Sequence, residues 1–341
     1  MLRLAVHLRR AVRGVPLLDS YRRALGGRRQ EFEDWVNHPY QDDLFWASSD
    51  AGPAADRMTV PVSLVSGWHD LTLEQTLDQY ARLRAAGQEP TLMIGPWTHT
   101  SAFDKGWPEL FADALEHLRV HLLGEGERTT RVRVHVNDEW RELPEWPPPS
   151  TELRLHLRPD GALGEPADGA TSFDYDPADP TPSFAGQLQS RTQGARDNKP
   201  PRIARGRPDL HHRAAARGRR DHGYAVRRPL RDRQHRPLRP VRAAVRRGSR
   251  RPLGERVRRL RPAHPRPRGR GPGAHRARRG LATASPLGHR IRLQVSGGAH
   301  PRFARNPGTG EPLGTAVRMV ATRTTVHHDP VHPSALVLPM V

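Results

Sequence analysis

A repeated pattern of buried strand and helix between residues 60 and 125 limits the folds open to this 341-residue chain. The runs PVSLV (61–65) and PTLMIG (90–95) are short and apolar, which is typical of strands buried on both faces. A helical pattern follows each run, the first ended by Gly87 and the second opened by Pro108. Strand, helix, strand, helix predicts a parallel sheet with right-handed crossovers. The helical spacing is carried by Leu73, Leu77 and Tyr80 in the first helix, and by Leu110, Ala114, Leu118 and Leu122 in the second.

A second, all-β part is predicted after residue 126, because helical spacing gives way there to alternation of apolar and polar residues. The length allows two domains, since single hydrophobic cores stop growing near about 250–300 residues. We therefore expect an α/β part over 51–126 and an all-β part over 127–341. The alternating residues are Val132, Val134 and Val136, then Leu153, Leu155 and Leu157, then Ile291, Leu293 and Val295, and PSALVLPMV (333–341) supplies a final strand.

The segment 196–279 differs sharply from the rest of the chain. It holds 29 arginines and one lysine against five acidic residues, a net charge of +25, so the remainder of the +20 chain carries −5. Its ten Ile, Leu and Val residues and no Phe in 84 positions are too few to build a core, which predicts a disordered insert. Its bias is also that of GC-rich DNA translated out of frame, and we favour a frameshift.

The rival hypothesis is that this insert makes the chain a nucleic-acid or anionic-surface binding protein. Arginine-rich tails that bind RNA usually lie at a terminus and interleave aromatic residues for base stacking, whereas Tyr224 is the only aromatic residue here. Any such segment binds phosphate backbones through counterion release. We therefore expect no specific nucleic-acid partner.

Several classes of protein are excluded by what the sequence lacks. The chain has no cysteine, which rules out disulfides, thiolate metal sites and cysteine nucleophiles. Arginines interrupt every apolar run near the N-terminus, so no secretion signal is recognised. No stretch approaches the roughly 18 consecutive apolar residues of a membrane span. These features predict a soluble, cytoplasmic protein that does not contact membranes, and nothing indicates a cofactor.

The strongest candidates for chemistry follow the two buried strands. Asp70 ends the sequence GWHD after the first strand, and His99 ends GPWTH after the second. Parallel strands bring such residues to one edge of the sheet, where an acid can orient a histidine base. The order of acid before histidine is that of α/β-hydrolases. The alternative is that Asp70 only caps the helix that follows and His99 is a loop residue.

These two motifs and four others resemble the cocaine esterase and Xaa-Pro dipeptidyl-peptidase family of α/β-hydrolases. The resemblance covers about three quarters of the chain. It implies a helical cap, of which 1–50 would be a remnant, the last strands and helices of a hydrolase domain over 51–126, and a jelly-roll β-sandwich over 127–341. The other motifs are HPYQDDLFW (38–46), YDPADPTPSFAG (175–186), SGGAHPRFARNPGTGE (296–311) and TVHHDPVHPSALVLP (325–339).

The family hydrolyses esters or X-Pro peptides with a Ser, His and Asp triad, which implies Asp70 as acid and His99 as base. Its serine lies in a G-x-S-x-x-G turn ahead of the acid, and no serine upstream of Asp70 has this context. We therefore expect an N-terminally truncated chain that lacks the nucleophile and is inactive, while an intact relative takes a small ester or peptide. The upstream serines are Ser20, Ser48, Ser49, Ser63 and Ser66.

Two tryptophans are candidates for substrate binding, and a cluster of histidines is a candidate for metal binding. Trp68 and Trp97 flank the proposed acid and base and are candidates for a substrate pocket, although large aromatic residues more often fill cores. His327, His328 and His332 resemble a metal cluster in composition, but their extended, proline-bearing sequence favours solvent-exposed strand ends, so no metal site is predicted. The sequence does not indicate an oligomeric state.

Overall fold

The computed structural model describes residues 11–40, 43–183, 224–225, 281–282, 291 and 293–340. The helices are α1 (Leu17–Leu25), α2 (Gln30–Asn37), a 3-10 helix (Leu44–Ser49), α3 (Gly52–Ala55), α4 (Leu73–Ala85), α5 (His99–Ala102), α6 (Trp107–Leu118) and a π-helix (Arg119–Leu123). The strands are β1 (Ser63–His69), β2 (Thr91–Thr98), β3 (Val132–Val136), β4 (Glu139–Leu143), β5 (Thr151–Leu157), β6 (Leu163–Gly164), β7 (Ala170–Tyr175), β8 (Tyr224–Ala225), β9 (Leu281–Ala282), β10 (Thr322–His327) and β11 (Ala335–Met340).

A four-stranded sheet in the order β1-β2-β3-β4 forms the centre of the first part. β1, β2 and β3 run parallel, and β4 returns antiparallel to β3. The register pairs Gly67 with Gly95 and His69 with Thr98, with an irregularity after Gly67. The strand, helix, strand, helix pattern thus forms the predicted parallel unit.

Each face of this sheet carries its own core. α4 covers one face, where its apolar side chains meet those of β1, β2 and β3. The other face carries α5 and α6, around Met93, Trp97 and Ala102. Burial of one large apolar side chain stabilises the fold by about 1.5–3 kcal/mol, so these cores dominate the stability of the unit. The α4 core contains Trp68, Leu73, Leu77, Tyr80, Leu92, Ile94, Val132, Val134, Val136 and Trp146.

The structure departs from the sequence pattern at α6. Of the residues with helical spacing, Leu110 is partly buried, whereas Leu118 and Leu122 are exposed. The helix instead turns Asp113 toward β1, where Asp113 Oδ2 accepts a hydrogen bond of 2.8 Å from Ser63 Oγ and Oδ1 pairs with the Arg128 guanidinium. Apolar periodicity identified the helix but not its buried face, because a buried ion pair provides the contact to the sheet.

β3 belongs to the first sheet, whereas the sequence placed it in the all-β part. The all-β part was expected to begin at residue 127, yet Val132–Val136 pairs with β2 in parallel and belongs to the first sheet. Alternation of buried and partly exposed residues is present in β3 as predicted. Period-two alternation shows that one face is buried but does not show which strand lies alongside.

The second part consists of small antiparallel sheets. β11, β5 and β6 form one, and β10 and β7 form another. Apolar side chains from both sheets and from Ile291, Leu293 and Val295 form one core, so β5 and β10 face a common interior. An α/β part followed by a β part is therefore confirmed. The buried members of this core are Leu157, Leu163, Phe173, Leu293, Val295 and Val326.

The N-terminal segment packs against the loops of the second part. The Leu18 amide donates to the Gly314 carbonyl at 3.1 Å, and His300 Nε2 lies 2.8 Å from the Val12 carbonyl. The Arg305 guanidinium donates to the carbonyls of Arg13 at 2.5 Å and Gly14 at 3.4 Å. These contacts join residues almost 300 positions apart in the chain.

The arginine-rich segment 196–279, expected to be disordered and to result from a frameshift, lies outside the described residues apart from Tyr224–Ala225 in β8. Within the described part of the chain, no helix is long and apolar enough to span a bilayer.

Candidate active site

The parallel pairing of β1 and β2 brings Asp70 and His99 to one edge of the sheet. His69 is in register with Thr98, so the residues that follow them leave the sheet side by side. This is the carboxyl edge of both strands, where side chains at strand ends converge in open α/β sheets. The two predicted site residues are therefore brought together.

The side chains of Asp70 and His99 are in hydrogen-bond contact. His99 Nδ1 lies 3.2 Å from Asp70 Oδ1 and 3.3 Å from Oδ2. The Asp70 side chain is 7% exposed and that of His99 33% exposed, so the carboxylate is buried and the ring reaches the surface. Because an ionised carboxylate only accepts hydrogen bonds, this contact places the proton on Nδ1 and leaves the Nε2 lone pair for a substrate or nucleophile.

Asp70 lies just ahead of α4 but is not its N-cap. Its Oδ1 accepts hydrogen bonds of 2.8 Å from both the backbone amide and the hydroxyl of Thr72. Thr72 is the N-cap residue of α4, and its side chain makes no capping hydrogen bond. The two bonds from Thr72 hold the Asp70 carboxylate in the orientation in which it meets His99. The alternative explanation, in which Asp70 only caps the helix, is therefore wrong.

His99 is positioned by a capped turn that the sequence analysis missed. α5 begins at His99, and Thr98 and Ser101 form a capping box around it. The Thr98 amide donates to Ser101 Oγ at 2.9 Å, and the Ser101 amide donates to Thr98 Oγ1 at 3.3 Å. The Phe103 ring stands edge-on to the imidazole at 6.2 Å and is 65% exposed. The Thr-x-x-Ser spacing at 98–101 is the signal that predicts this turn.

A protein-family model described as X-Pro dipeptidyl-peptidase (S15 family) matches residues 8–101, the stretch that carries both Asp70 and His99. The cocaine esterase of Rhodococcus sp. (strain MB1 Bresler) is 26% identical over 197 residues, which are 48% of this chain and 34% of the esterase. The first part of this chain is therefore similar to X-Pro dipeptidyl-peptidases of the S15 family and to the cocaine esterase. The predicted family resemblance is thereby confirmed.

The fold of this chain is similar to that of an aminopeptidase from the marine sediment archaeon Thaumarchaeota archaeon. The TM-score is 0.59 at 18% sequence identity, over 91% of this chain and 60% of that one. The chain therefore spans about a third of the esterase and three fifths of the aminopeptidase.

Neither of the two tryptophans beside the candidate acid and base lines an open pocket. Trp68 is 7% exposed in the α4 core, and its Nε1 donates to the His135 carbonyl at 2.6 Å. Trp97 is 5% exposed on the other face of the sheet, next to Trp140 with ring centroids 5.8 Å apart. Both tryptophans thus have the contacts of core residues, on opposite faces of the first sheet. A role for them in substrate binding remains a prediction.

None of the described serines ahead of Asp70 contacts His99. Ser63 Oγ is bonded to Asp113 at the far end of β1, and Ser66 Oγ is buried without a partner among the described residues. Within the described part of the chain, no hydrogen-bond partner of His99 Nε2 is found. The absence of a nucleophile in this chain stays a prediction, with which these positions agree. The remaining upstream serines lie in α1 (Ser20) and in the exposed 3-10 helix (Ser48 and Ser49).

The three histidines near the C-terminus do not form one cluster. His327 and His332 lie on either side of Asp329, with Nδ1 to carboxylate distances of 3.7 and 3.2 Å. His328 is fully buried, its Nε2 lies 2.9 Å from Thr171 Oγ1, and burial lowers its pKa. Among the described residues, no group of three His, Asp or Glu side chains is arranged to hold a metal ion.

Proposed function

We propose that Asp70 and His99 are the acid and base of a hydrolytic site for an ester or for a peptide bond that follows proline. The observation that carries this proposal is the contact of His99 Nδ1 with both oxygens of a buried Asp70 carboxylate, at 3.2 and 3.3 Å. The match of residues 8–101 to a family of X-Pro dipeptidyl-peptidases and the similarity to a cocaine esterase support the two substrate classes. A small ester or peptide is the partner that this site would take.

The two ring nitrogens of His99 have different roles in this site. The Asp70 carboxylate accepts the Nδ1 proton and thereby fixes the tautomer that keeps Nε2 basic. Nε2 of His99 then accepts the proton of an attacking hydroxyl, and the nearby carboxylate stabilises the imidazolium that forms. The bonds from Thr72 keep the carboxylate from rotating away. The site thus supplies base and orientation, and the reaction additionally requires a hydroxyl nucleophile and donors for the oxyanion.

We further propose that this chain alone does not turn over substrate. In the described residues no serine hydroxyl reaches His99, and no upstream serine stands in a glycine-bounded strand-to-helix turn. A triad that loses its serine loses about 10⁶-fold in rate. We also propose that the antiparallel sheets after residue 150 belong to a jelly roll, which the shared core of β5, β7, β10 and β11 supports.

A proton NMR experiment tests the acid and base directly and needs no activity. The Nδ1 proton of a histidine bonded to a carboxylate resonates far downfield, so the full-length chain is expected to show such a signal. Asp70→Asn should abolish it while keeping the turn ahead of α4, because the Asn side-chain oxygen can accept the same hydrogen bonds from Thr72. Asp56→Asn is the matched control, since that carboxylate pairs with Arg82 instead. A signal that survives Asp70→Asn would refute the pairing.

A labelling experiment tests the nucleophile separately. The purified chain is incubated with a fluorophosphonate serine probe and with an activated ester. The expected result is no labelled serine and no ester hydrolysis beyond that of the His99→Ala variant. Labelling of any serine, mapped by mass spectrometry, would show that the chain carries its own nucleophile. The two experiments are independent, so failure of one proposal leaves the other measurable.

A further inference from the structure

A pair of histidines lies at the opposite end of β1 from Asp70. His117 is in the last turn of α6 and His121 is in the π-helix that continues it. Their ring centroids are 4.6 Å apart, with an angle of 58° between the ring planes. β1 has seven residues, so this pair lies about 20 Å from the proposed acid and base. The pair is therefore separate from the site described above.

His117 has a buried ring nitrogen without a partner. Its Nδ1 makes no hydrogen bond among the described residues. In the neutral tautomer with the proton on Nε2, Nδ1 carries an unshared lone pair. Metal-binding histidines place one ring nitrogen on the ion and donate the other N–H to a carboxylate, a backbone carbonyl or water.

We propose that His117 and His121 bind one divalent transition-metal ion of the Zn²⁺, Ni²⁺ or Cu²⁺ class through two imidazole nitrogens. Residues four apart on a helix share a face, and these ions bind imidazole nitrogen at about 2.0–2.1 Å in the case of Zn²⁺. His121 is exposed, so its ring can change rotamer and give the ion access to Nδ1 of His117. Only two protein ligands are supplied, so water or a chelator completes the coordination.

The charges around the pair permit a bound cation. Burial lowers the pKa of His117, as do His121 and Arg128, whereas Asp113 raises it, so the ring is neutral and available at pH 7. Arg128 and Asp113 form a buried ion pair with each other, and their opposite charges largely cancel at the histidines. Asp113 is already bonded to Ser63 and Arg128 and is not needed as a ligand.

The test uses the Cu²⁺ complex of nitrilotriacetate, which leaves positions for two imidazoles and so selects paired histidines. The full-length chain should bind at least one equivalent tightly, with two-nitrogen coupling in the electron paramagnetic resonance spectrum. His121→Ala should weaken binding at this site by about 10²-fold, because the second ligand no longer acts intramolecularly. The variant should therefore bind one tight equivalent fewer than the parent chain. His121 is exposed, so this variant keeps the fold, as circular dichroism would verify.

A rearranged variant controls for histidine content. His121→Ala combined with Leu123→His keeps the number of histidines but moves the second ring around the helix, and it should not regain the lost equivalent. Unchanged binding in His121→Ala, or full recovery in the rearranged variant, would overturn the proposal, because either result places the ion on other histidines.

Discussion

Gly95→Ala should destabilise the first sheet, because Gly95 leaves space that the Trp97 indole fills. A Cβ at residue 95 would lie 2.3 Å from Cε3, 2.4 Å from Cζ3 and 2.5 Å from Cδ2 of Trp97. The indole is rigid, and its far edge meets Gly106, where a Cβ would lie 2.4 Å from Cε2. The ring is thus held between two glycines and cannot move aside.

The size of the effect follows from these distances. Carbon atoms in contact normally lie about 3.5–4.0 Å apart, so three contacts of the new methyl group would each be more than 1 Å too short. Overpacking of this kind costs about 1–3 kcal/mol, and the lack of a flexible neighbour favours the upper end. Trp97→Leu removes the clashing atoms, so in that background Gly95→Ala should cost less than about 0.5 kcal/mol. The coupling energy between the two sites is then about 1.5–2.5 kcal/mol.

Urea unfolding of the four members of this double-mutant cycle, followed by far-UV circular dichroism, measures the coupling. Gly164→Ala is the matched control, since its nearest neighbour would be Arg158 Cδ at 3.9 Å, and it should leave stability within about 1 kcal/mol of the parent. Equal costs of Gly95→Ala with and without Trp97 would refute the packing argument, because the clash would then not involve the indole.

Two further predictions concern charge. Hydrogen bonds from Arg28 and Arg22 lower the pKa of Glu33 from 4.5 to about 2, so its contribution to stability should be complete above pH 4.5 and lost as the pH falls toward 2. Thermal unfolding from pH 2 to 6 should show a weaker pH dependence for Glu33→Gln than for the control Glu31→Gln, and identical curves would contradict this. The segment 196–279 should bind RNA without sequence preference, with affinity falling about 10³–10⁵-fold between 50 and 200 mM salt if six to ten phosphates are contacted. A sequence preference that persists in high salt would instead favour the rival nucleic-acid-binding function.

Much of the first sheet could be predicted from local sequence. The apolar run before GWHD and the one before GPWTH became β1 and β2, and the helical spacing from Leu73 to Tyr80 became α4. The final alternating run likewise became β11. Such elements are predictable because strand and helix periods appear within a dozen residues. The meeting of Asp70 and His99 follows from them, since parallel neighbours end at one edge.

Other features depended on contacts between distant residues. The buried face of α6 was not predictable, because it is decided by the pairing of Asp113 with Arg128 and with Ser63, 50 positions earlier. The Trp97 indole lies between Gly95 and Gly106, which come together only in the folded chain. Local patterns show that a residue is apolar or small, but they do not show which residues it will contact in the folded chain.

The sequence by itself determined the resemblance to a hydrolase family, the strand and helix order around the site, and the identity of the candidate acid and base. Only the tertiary structure decided that β3 joins the first sheet, that Trp68 and Trp97 lie in separate cores, and that the Asp70 carboxylate binds Thr72 ahead of α4 while it contacts His99. The physical reason is that periodicity and motifs are properties of neighbouring residues, whereas partners and burial arise from strand pairing and packing across the whole chain.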